Sequence, residues 1–267
     1  MAFTTEQREG LLHNSLDSMR HALDHFFELG TLDRTRKESG YNLQHHHKWV
    51  ILSVHHAADC LLQVFLDDLD PASQCLQKRG KLRHPSLSRT LRALRRPANT
   101  DRLKESEKLF LKLVEDLNKQ RNDLMHGTLP ETIQPSVAAF LLLALRRVLR
   151  TRYAIAEEDF AWWEDDLGQH VMREIHLKHY DLYFQYVERA VAEDNPDRWV
   201  DSCPYCGTLA IPGTASRCEA CFLVIDWIEC SSCGTEFAHM AHPEGDEPRV
   251  CPSCDSVQPE PPAGSCP

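Results

Sequence analysis

Beyond Ala192 the chain has almost no positive charge, and before Val200 it has almost no cysteine. Residues 193–267 carry 13 acidic side chains against 3 basic ones (Arg198, Arg217 and Arg249), whereas residues 1–192 balance 27 against 27. The net charge of −10 therefore belongs to the tail, where it would repel a phosphate backbone. Nine of the eleven cysteines lie past residue 200, leaving Cys60 and Cys75 before it, too few for a disulfide scaffold in the larger part. Long apolar runs are missing as well. The longest, AAFLLLAL (Ala138 to Leu145), is far short of the ~20 residues that span a bilayer. The opening MAFTTEQREG is polar and runs into no apolar stretch of signal-peptide type. The expectation is a soluble, cytoplasmic protein without membrane association.

What is present in the first 192 residues is helical periodicity, with no alternating strand pattern and no repeat. SLDSMRHALDHFFELG (Ser15 to Gly30) reads as a helix begun by a serine cap and stopped by a glycine. Leu43 to Pro71 reads as a longer one halted by the proline, with Trp49, Leu52, His56, Cys60 and Val64 along one face. Ser86 to Arg96 is a short basic helix, Thr100 to Met125 an amphipathic one, and Ser136 to Arg152 a nearly apolar one. Further helices are expected over Glu158 to Ala192. The shift in charge and cysteine density near Asp194 to Ser202 marks a domain boundary. The organisation expected is a helical bundle over 1–155, additional helices over 156–195, and a small cysteine-rich domain over 200–267.

Four CxxC pairs stand at Cys203/Cys206, Cys218/Cys221, Cys230/Cys233 and Cys251/Cys254, separated by 11, 8 and 17 residues. Each pair offers two thiolates to one ion, and two pairs complete a tetrahedral four-cysteine zinc site. Paired spacing of this kind suits metal better than disulfides. Consecutive pairing gives two tandem zinc ribbons, Cys203, Cys206, Cys218 and Cys221, then Cys230, Cys233, Cys251 and Cys254; an interleaved cross-brace is the alternative. Both sites have four thiolates and no open position, so they read as structural Zn²⁺ sites with no catalytic metal. Cys266 reads as free, and His239 and His242 as loop residues rather than ligands. The acidity of this tail points to contact with protein rather than with nucleic acid.

The stretch KQRNDLMHGTLP (Lys119 to Pro130) poses a different question. Five helical residues turn the chain by about 500°, so Arg121 and His126 would point ~140° apart in a continuous helix. If the helix stops at Met125 or His126, with Gly127 as a left-handed cap, His126 is free to swing back toward Arg121. The R-x4-H spacing occurs four times in the chain, at Arg8/His13, Arg20/His25, Arg79/His84 and Arg121/His126, so the string alone has little weight. Its setting has more. A helix with KWVILSVHHAADCLLQVFL, a variable basic middle, a helix ending RNDLMHG and a closing apolar helix together resemble the HEPN superfamily of small helical bundles, over roughly residues 12–152.

That resemblance implies a HEPN-like fold whose motif is Arg121, Asn122 and His126. Asp59 matches the acidic position that many members carry on the second helix. It further implies metal-independent ribonuclease activity, in a toxin–antitoxin, antiviral or RNA-processing role, at a site completed by a homodimer; some members only bind. In toxins silenced by adenylylation of a tyrosine two residues past the histidine, the position corresponds to Thr128 here, which sets that control aside. Cleavage by 2′-hydroxyl attack needs a proton carrier near neutrality, which histidine supplies, and fixed positive charge on the phosphorane, which arginine supplies. Asn122 would orient the phosphate or His126, and Asp59 would hold Arg121. The rival is a non-catalytic module that grips RNA or nucleotide, or an adaptor whose ribbons recruit a protein partner or antitoxin.

Lys78 to Arg96 contains eight basic residues and no acidic one. It reads as a solvated loop and helix face, with Lys81, Arg83, Arg92 and Arg96 the candidates for RNA-backbone contact. His45 to His47 and His55/His56 read as surface and core histidines, and Trp162/Trp163 as the inward side of an acidic surface helix.

Overall fold

The computed structural model describes residues 2–35, 40–73, 76–78, 81–83, 85–125, 135–156, 158–160, 180–213, 215–240 and 249–258. The chain divides into two compact units, Met1–Tyr183 and Phe184–Pro267. Among the described residues there are seven α-helices: α1 (Thr5–Thr35), α2 (Gly40–Leu69), α3 (Leu87–Leu94), α4 (Pro97–Thr100), α5 (Glu105–Met125), α6 (Pro135–Tyr153) and α7 (Tyr180–Asp194). The protein is mostly helical with a cysteine-rich C-terminal region, as composition indicates.

The first unit is organised on α2, which runs antiparallel to α1. Arg8 meets Asp67 and Asp68, Ser15 meets Ala57, and His25 meets His46, so chain positions fall on one helix as they rise on the other. α2 also packs on α3, α5 and α6. Its Val50, Val54, Ala57, Ala58, Leu61, Leu62 and Phe65 are buried, whereas Trp49 is 39% exposed and His56 lies in solvent. The apolar face is thus offset from the one the sequence suggests, because α2 has neighbours on several sides and its second half is buried almost all round. By length and composition His45–Leu69 passes for a membrane span, but 72% of its most apolar window is covered by the rest of the fold, as a core helix would be.

α1 starts ten residues earlier than Ser15. Thr4 Oγ1 accepts from the Gln7 N–H at 3.2 Å and Gln7 Oε1 accepts from the Thr4 N–H at 3.0 Å, the reciprocal capping box that T-x-x-Q encodes. Ser15 is no cap: it is fully buried and its hydroxyl donates to the Ala57 carbonyl on α2 at 3.0 Å. Gly30 does not stop the helix either, which continues to Thr35. A glycine lowers helix propensity by about 1 kcal/mol but does not forbid the helix. At its far end α2 stops before Pro71, and Arg102 Nη1 donates to the Leu69 carbonyl at 2.6 Å, satisfying an orphan helix-end acceptor.

A two-stranded hairpin, β1 (Leu76–Lys78) with β2 (Lys81–Arg83), interrupts the helical pattern between α2 and α3. The sequence reading has a loop here, since three-residue strands are too short to show alternation. α3 begins after Ser86, and Pro97 opens α4, so the expected Thr100 start of the next helix moves to Glu105.

Four helices of this unit are tied by charge at one end. Arg8 of α1 pairs with Asp67 and Asp68 of α2, the Tyr153 hydroxyl of α6 donates to Asp68 at 3.0 Å, and Arg152 of α6 pairs with Glu107 of α5. The Arg152 guanidinium also lies 4.2 Å from the centre of the Phe65 ring, a cation–π contact. Glu107 is buried and accepts the Lys104 N–H at 2.9 Å as well. Removing one partner of such a pair leaves the other desolvated and unmet. Glu107→Ala is expected to cost about 2 to 3 kcal/mol; urea titration followed by helical circular dichroism checks it, and a change within 0.5 kcal/mol (about the noise for surface substitutions) would contradict the account.

Candidate functional site

In the second unit the cysteines gather by a local device repeated four times. β3 (Val200–Ser202) and β4 (Leu209–Pro212) flank Cys203/Cys206, β5 (Ile225–Glu229) and β6 (Glu236–Met240) flank Cys230/Cys233, and β7 (Arg249–Val250) and β8 (Val257–Gln258) flank Cys251/Cys254. A single antiparallel bridge, Arg217 with Val224, brackets Cys218/Cys221. Each CxxC is therefore the tip of an antiparallel turn.

The turns share their hydrogen bonds. The carbonyl of each first cysteine accepts from the N–H four residues on, at Gly207, Phe222, Gly234 and Asp255, over 2.8 to 3.0 Å. Each first cysteine N–H donates to the carbonyl five residues on, at Thr208, Leu223, Thr235 and Ser256, over 2.9 to 3.0 Å. Closing the turn requires positive φ directly after the second cysteine, and all four residues there have it: Gly207 71°, Phe222 62°, Gly234 70° and Asp255 56°. Glycine fits that conformation without strain, and the other two positions accept a cost of about 1 kcal/mol.

These turns bring the sulfurs together by consecutive pairs. Cys203 Sγ lies 3.6 Å from Cys221 Sγ and Cys206 Sγ 3.8 Å from Cys218 Sγ. In the second cluster Cys230 and Cys254 are 3.5 Å apart, and Cys233 and Cys251 3.7 Å. Within each cluster all four sulfurs lie within 4.8 Å of one another. A tetrahedron with metal–sulfur bonds of about 2.3 Å has edges of about 3.8 Å, so each cluster has the size of one metal site. A disulfide needs about 2.05 Å, and the nine cysteines described are free.

Hydrogen bonding and burial split the thiols of each cluster, lowering some and raising others. Hydrogen bonds from Cys206, Cys218 and Cys221 hold the Cys203 thiol far below its ordinary range, while the same contacts raise Cys218 and Cys221. In the second cluster the Ser256 hydroxyl, 3.2 Å from Cys230 Sγ, leads the effects that lower that thiol to about 5. Backbone N–H groups of Ala220 and Ser232 point at Cys218 Sγ and Cys230 Sγ over 3.3 and 3.4 Å. Such donors stabilise the thiolate form that a metal requires.

Gln258 has no counterpart in the sequence reading. It is buried on β8, its Nε2 donates to Cys230 Sγ at 3.2 Å, and its Oε1 accepts from the Ser231 N–H at 2.8 Å. It clamps the last hairpin to the knuckle of the third. Only its position four residues past Cys254 could have flagged it. Cys266 and His242 lie outside the described residues, and His239 sits on β6 opposite Asp226.

In the helical unit α2 and α5 bring polar side chains together. His55 Nε2 and Asn118 Oδ1 are 3.1 Å apart, and Arg121 Nη1 donates to Asn122 Oδ1 at 3.1 Å. Burial lowers the His55 pKa, with Asn118 and Asp59 acting against the shift and Arg121 and His56 with it. His55 thus feels Asp59, one turn along α2, and Arg121 from the facing helix. His55, Asp59, Arg121 and Asn122 are all half-buried. His126 lies outside the described residues, which resume at Pro135. Sequence reasoning passed over His55 as a core or surface histidine, since only the α2–α5 packing places it near Arg121. Neighbouring Cys60 is pushed up to about 11 by burial, Asp59 adding to it, so it stays a protonated thiol.

Of the basic candidates, Arg92 is exposed, and Arg96 is 60% exposed while donating to Asp70 at 3.3 Å and Ser73 at 2.9 Å. Lys81 and Arg83 belong to β2; Trp162 and Trp163 lie outside the described residues. Comparisons with protein-family models, with curated proteins and with solved structures find no match to this chain.

Two outcomes are expected for the clusters. Gln258→Ala weakens metal binding at the second cluster by roughly 10-fold and leaves the first unchanged in a chelator-competition titration. Stripping the metal abolishes the near-ultraviolet signal of Trp199 and Trp227, whose rings pack edge to face at 5.4 Å, while helical dichroism of the first unit persists. A tail that keeps this signal without metal would overturn the view that the clusters hold it together.

Proposed function

We propose that the helical unit is a HEPN-like domain that cleaves RNA without a catalytic metal, and that the two cysteine clusters are structural zinc sites. What carries the reading is the polar face between α2 and α5, where an imidazole, a carboxylate, a guanidinium and two amides meet half-buried. A bundle held by apolar packing alone has no need of such a set. The resemblance of residues 12–152 to the HEPN superfamily adds the reaction.

In that reaction the ribose 2′-hydroxyl attacks the adjacent phosphorus and the bond to the 5′-oxygen breaks, leaving a 2′,3′-cyclic phosphate and a 5′-hydroxyl. His126 takes the proton from the attacking oxygen in one protomer, and its equivalent gives one to the leaving oxygen in the other. Arg121 holds the equatorial oxygens as negative charge builds, a role for which its planar, permanently charged donors suit. Asn122 fixes the Arg121 rotamer through the hydrogen bond at 3.1 Å, and Asp59 supplies negative charge on the facing helix. RNA reaches the site along the basic segment, where Arg92 and Arg96 are exposed. Zinc in each cluster supplies a four-thiolate crosslink and takes no part in the chemistry.

A second reading has its own support. The acidity of residues 193–267 and the closed form of both clusters suit a protein-binding tail, on a helical unit that only grips RNA. One assay decides between the two: cleavage of a mixed RNA substrate by wild type, Arg121→Ala and His126→Ala, in buffer without added divalent metal. Each substitution is expected to lower the rate by about 10² or more, with cyclic-phosphate ends on the products. Equal rates in all three chains would remove the nuclease assignment, and tight RNA binding without cleavage would select the binding module.

A further inference from the structure

The antiparallel pairing of α1 with α2 assembles a group of imidazole side chains, far from the CxxC pairs in sequence. His21 and His25 lie one turn apart on α1; His25 meets His46 of α2, and His21 lies edge to face with Trp49 at 6.0 Å. His25 Nδ1 lies 2.9 Å from His46 Nδ1, and ring centres are 4.7 Å apart for His21 and His25 and 5.1 Å for His25 and His46. We propose that His21, His25 and His46 form a binding site for a late first-row divalent cation such as zinc, separate from the cysteine clusters and independent of the proposed ribonuclease reaction.

The 2.9 Å contact is a hydrogen bond between the two rings, and a cation that replaced its proton would meet both nitrogens at a ligand spacing. Two imidazole nitrogens bound at about 2.0 to 2.1 Å stand about 2.9 Å apart at a right angle and about 3.4 Å apart at the tetrahedral angle, with ring centres about 4.5 to 5.2 Å apart. His25 and His46 already satisfy the nitrogen spacing. Among the described residues only the cysteine clusters already gather three or more donor atoms, so His21 joins by turning its ring. Its centroid distance from His25 lies within the ligand range.

His45 has another job. Trp49 Nε1 donates to His45 Nε2 at 3.0 Å, and an indole N–H can only donate. His45 Nε2 is therefore engaged by Trp49, and its ring centre is 5.7 Å from that of His46. Imidazole donors suit zinc, copper and nickel rather than magnesium or calcium. His21 and His45 are exposed and His25 and His46 half-buried, so an ion can enter and water can complete its shell. The HHH string on α2 shows none of this alone, because its partners come from α1.

The test is a metal count on the full chain with its cysteine clusters filled. Wild type and the His25→Gln/His46→Gln variant are dialysed to equilibrium against the same free zinc concentration and assayed for protein-bound zinc. Wild type is expected to hold one zinc per chain more than the variant; equal content overturns the site. A second measurement does not depend on how the variant folds. Zinc added to cluster-filled wild type should shift the imidazole resonances of His21, His25 and His46, and unmoved resonances overturn the proposal as surely.

Discussion

Positive φ directly after the second cysteine of each CxxC is the constraint on which the C-terminal unit rests. The turn can present two sulfurs on one side only if the chain reverses within six residues, and the reversal needs a left-handed residue at Gly207, Phe222, Gly234 and Asp255. Once four such turns exist, the antiparallel strands follow, because each turn delivers its flanking residues into register. The apolar contribution is small: around the second cluster the buried group is Cys230, Phe237 and Cys251 with Ile228 packed against it. An ion held in each cluster would add binding free energy to the ordering of so small an apolar group.

The helical unit solves the opposite problem. Its core is ample, with α2 buried on nearly every side beyond Val54, and specificity of packing is what it must secure. Charged groups do that work at one end, where Arg8, Asp67, Asp68, Glu107, Arg152 and Tyr153 tie α1, α2, α5 and α6. Tyr153 is half-buried beside Asp68, and desolvation first and the Asp68 charge next raise its hydroxyl pKa. Away from that end the same helices carry two polar groups with less obvious structural purpose. One is the His55, Asp59, Asn118 and Arg121 face of α2 and α5, and the other the imidazoles shared by α1 and α2.

The proposed chemistry and the proposed cation site depend on the same property of α2. A helix packed against several neighbours can carry one polar stripe toward each of them, and α2 shows His45 and His46 to α1 and His55 and Asp59 to α5. Burial is the first cause that lowers the pKa of His25 and of His55. Neutral imidazole is the form that accepts a proton or binds a cation.

Much of this was legible in the residues. The cysteine spacing alone specified two four-thiol clusters, because each CxxC is local and its turn is set by residues within six positions. Helical periodicity marked α2, α5 and α6 to within a few residues, because their apolar repeats are long. The start of α1 was also written in the sequence, as T-x-x-Q, though the serine farther on reads as a cap equally well. What tertiary structure decided was everything that needs two helices at once. Ser15 became a buried donor to Ala57, Trp49 moved to the surface, Gln258 closed a cluster, and His25 came to face His46. Local spacing is fixed by backbone geometry and can be read along the chain. Which face meets which neighbour depends on the summed packing of all the helices, and no window of sequence contains that sum.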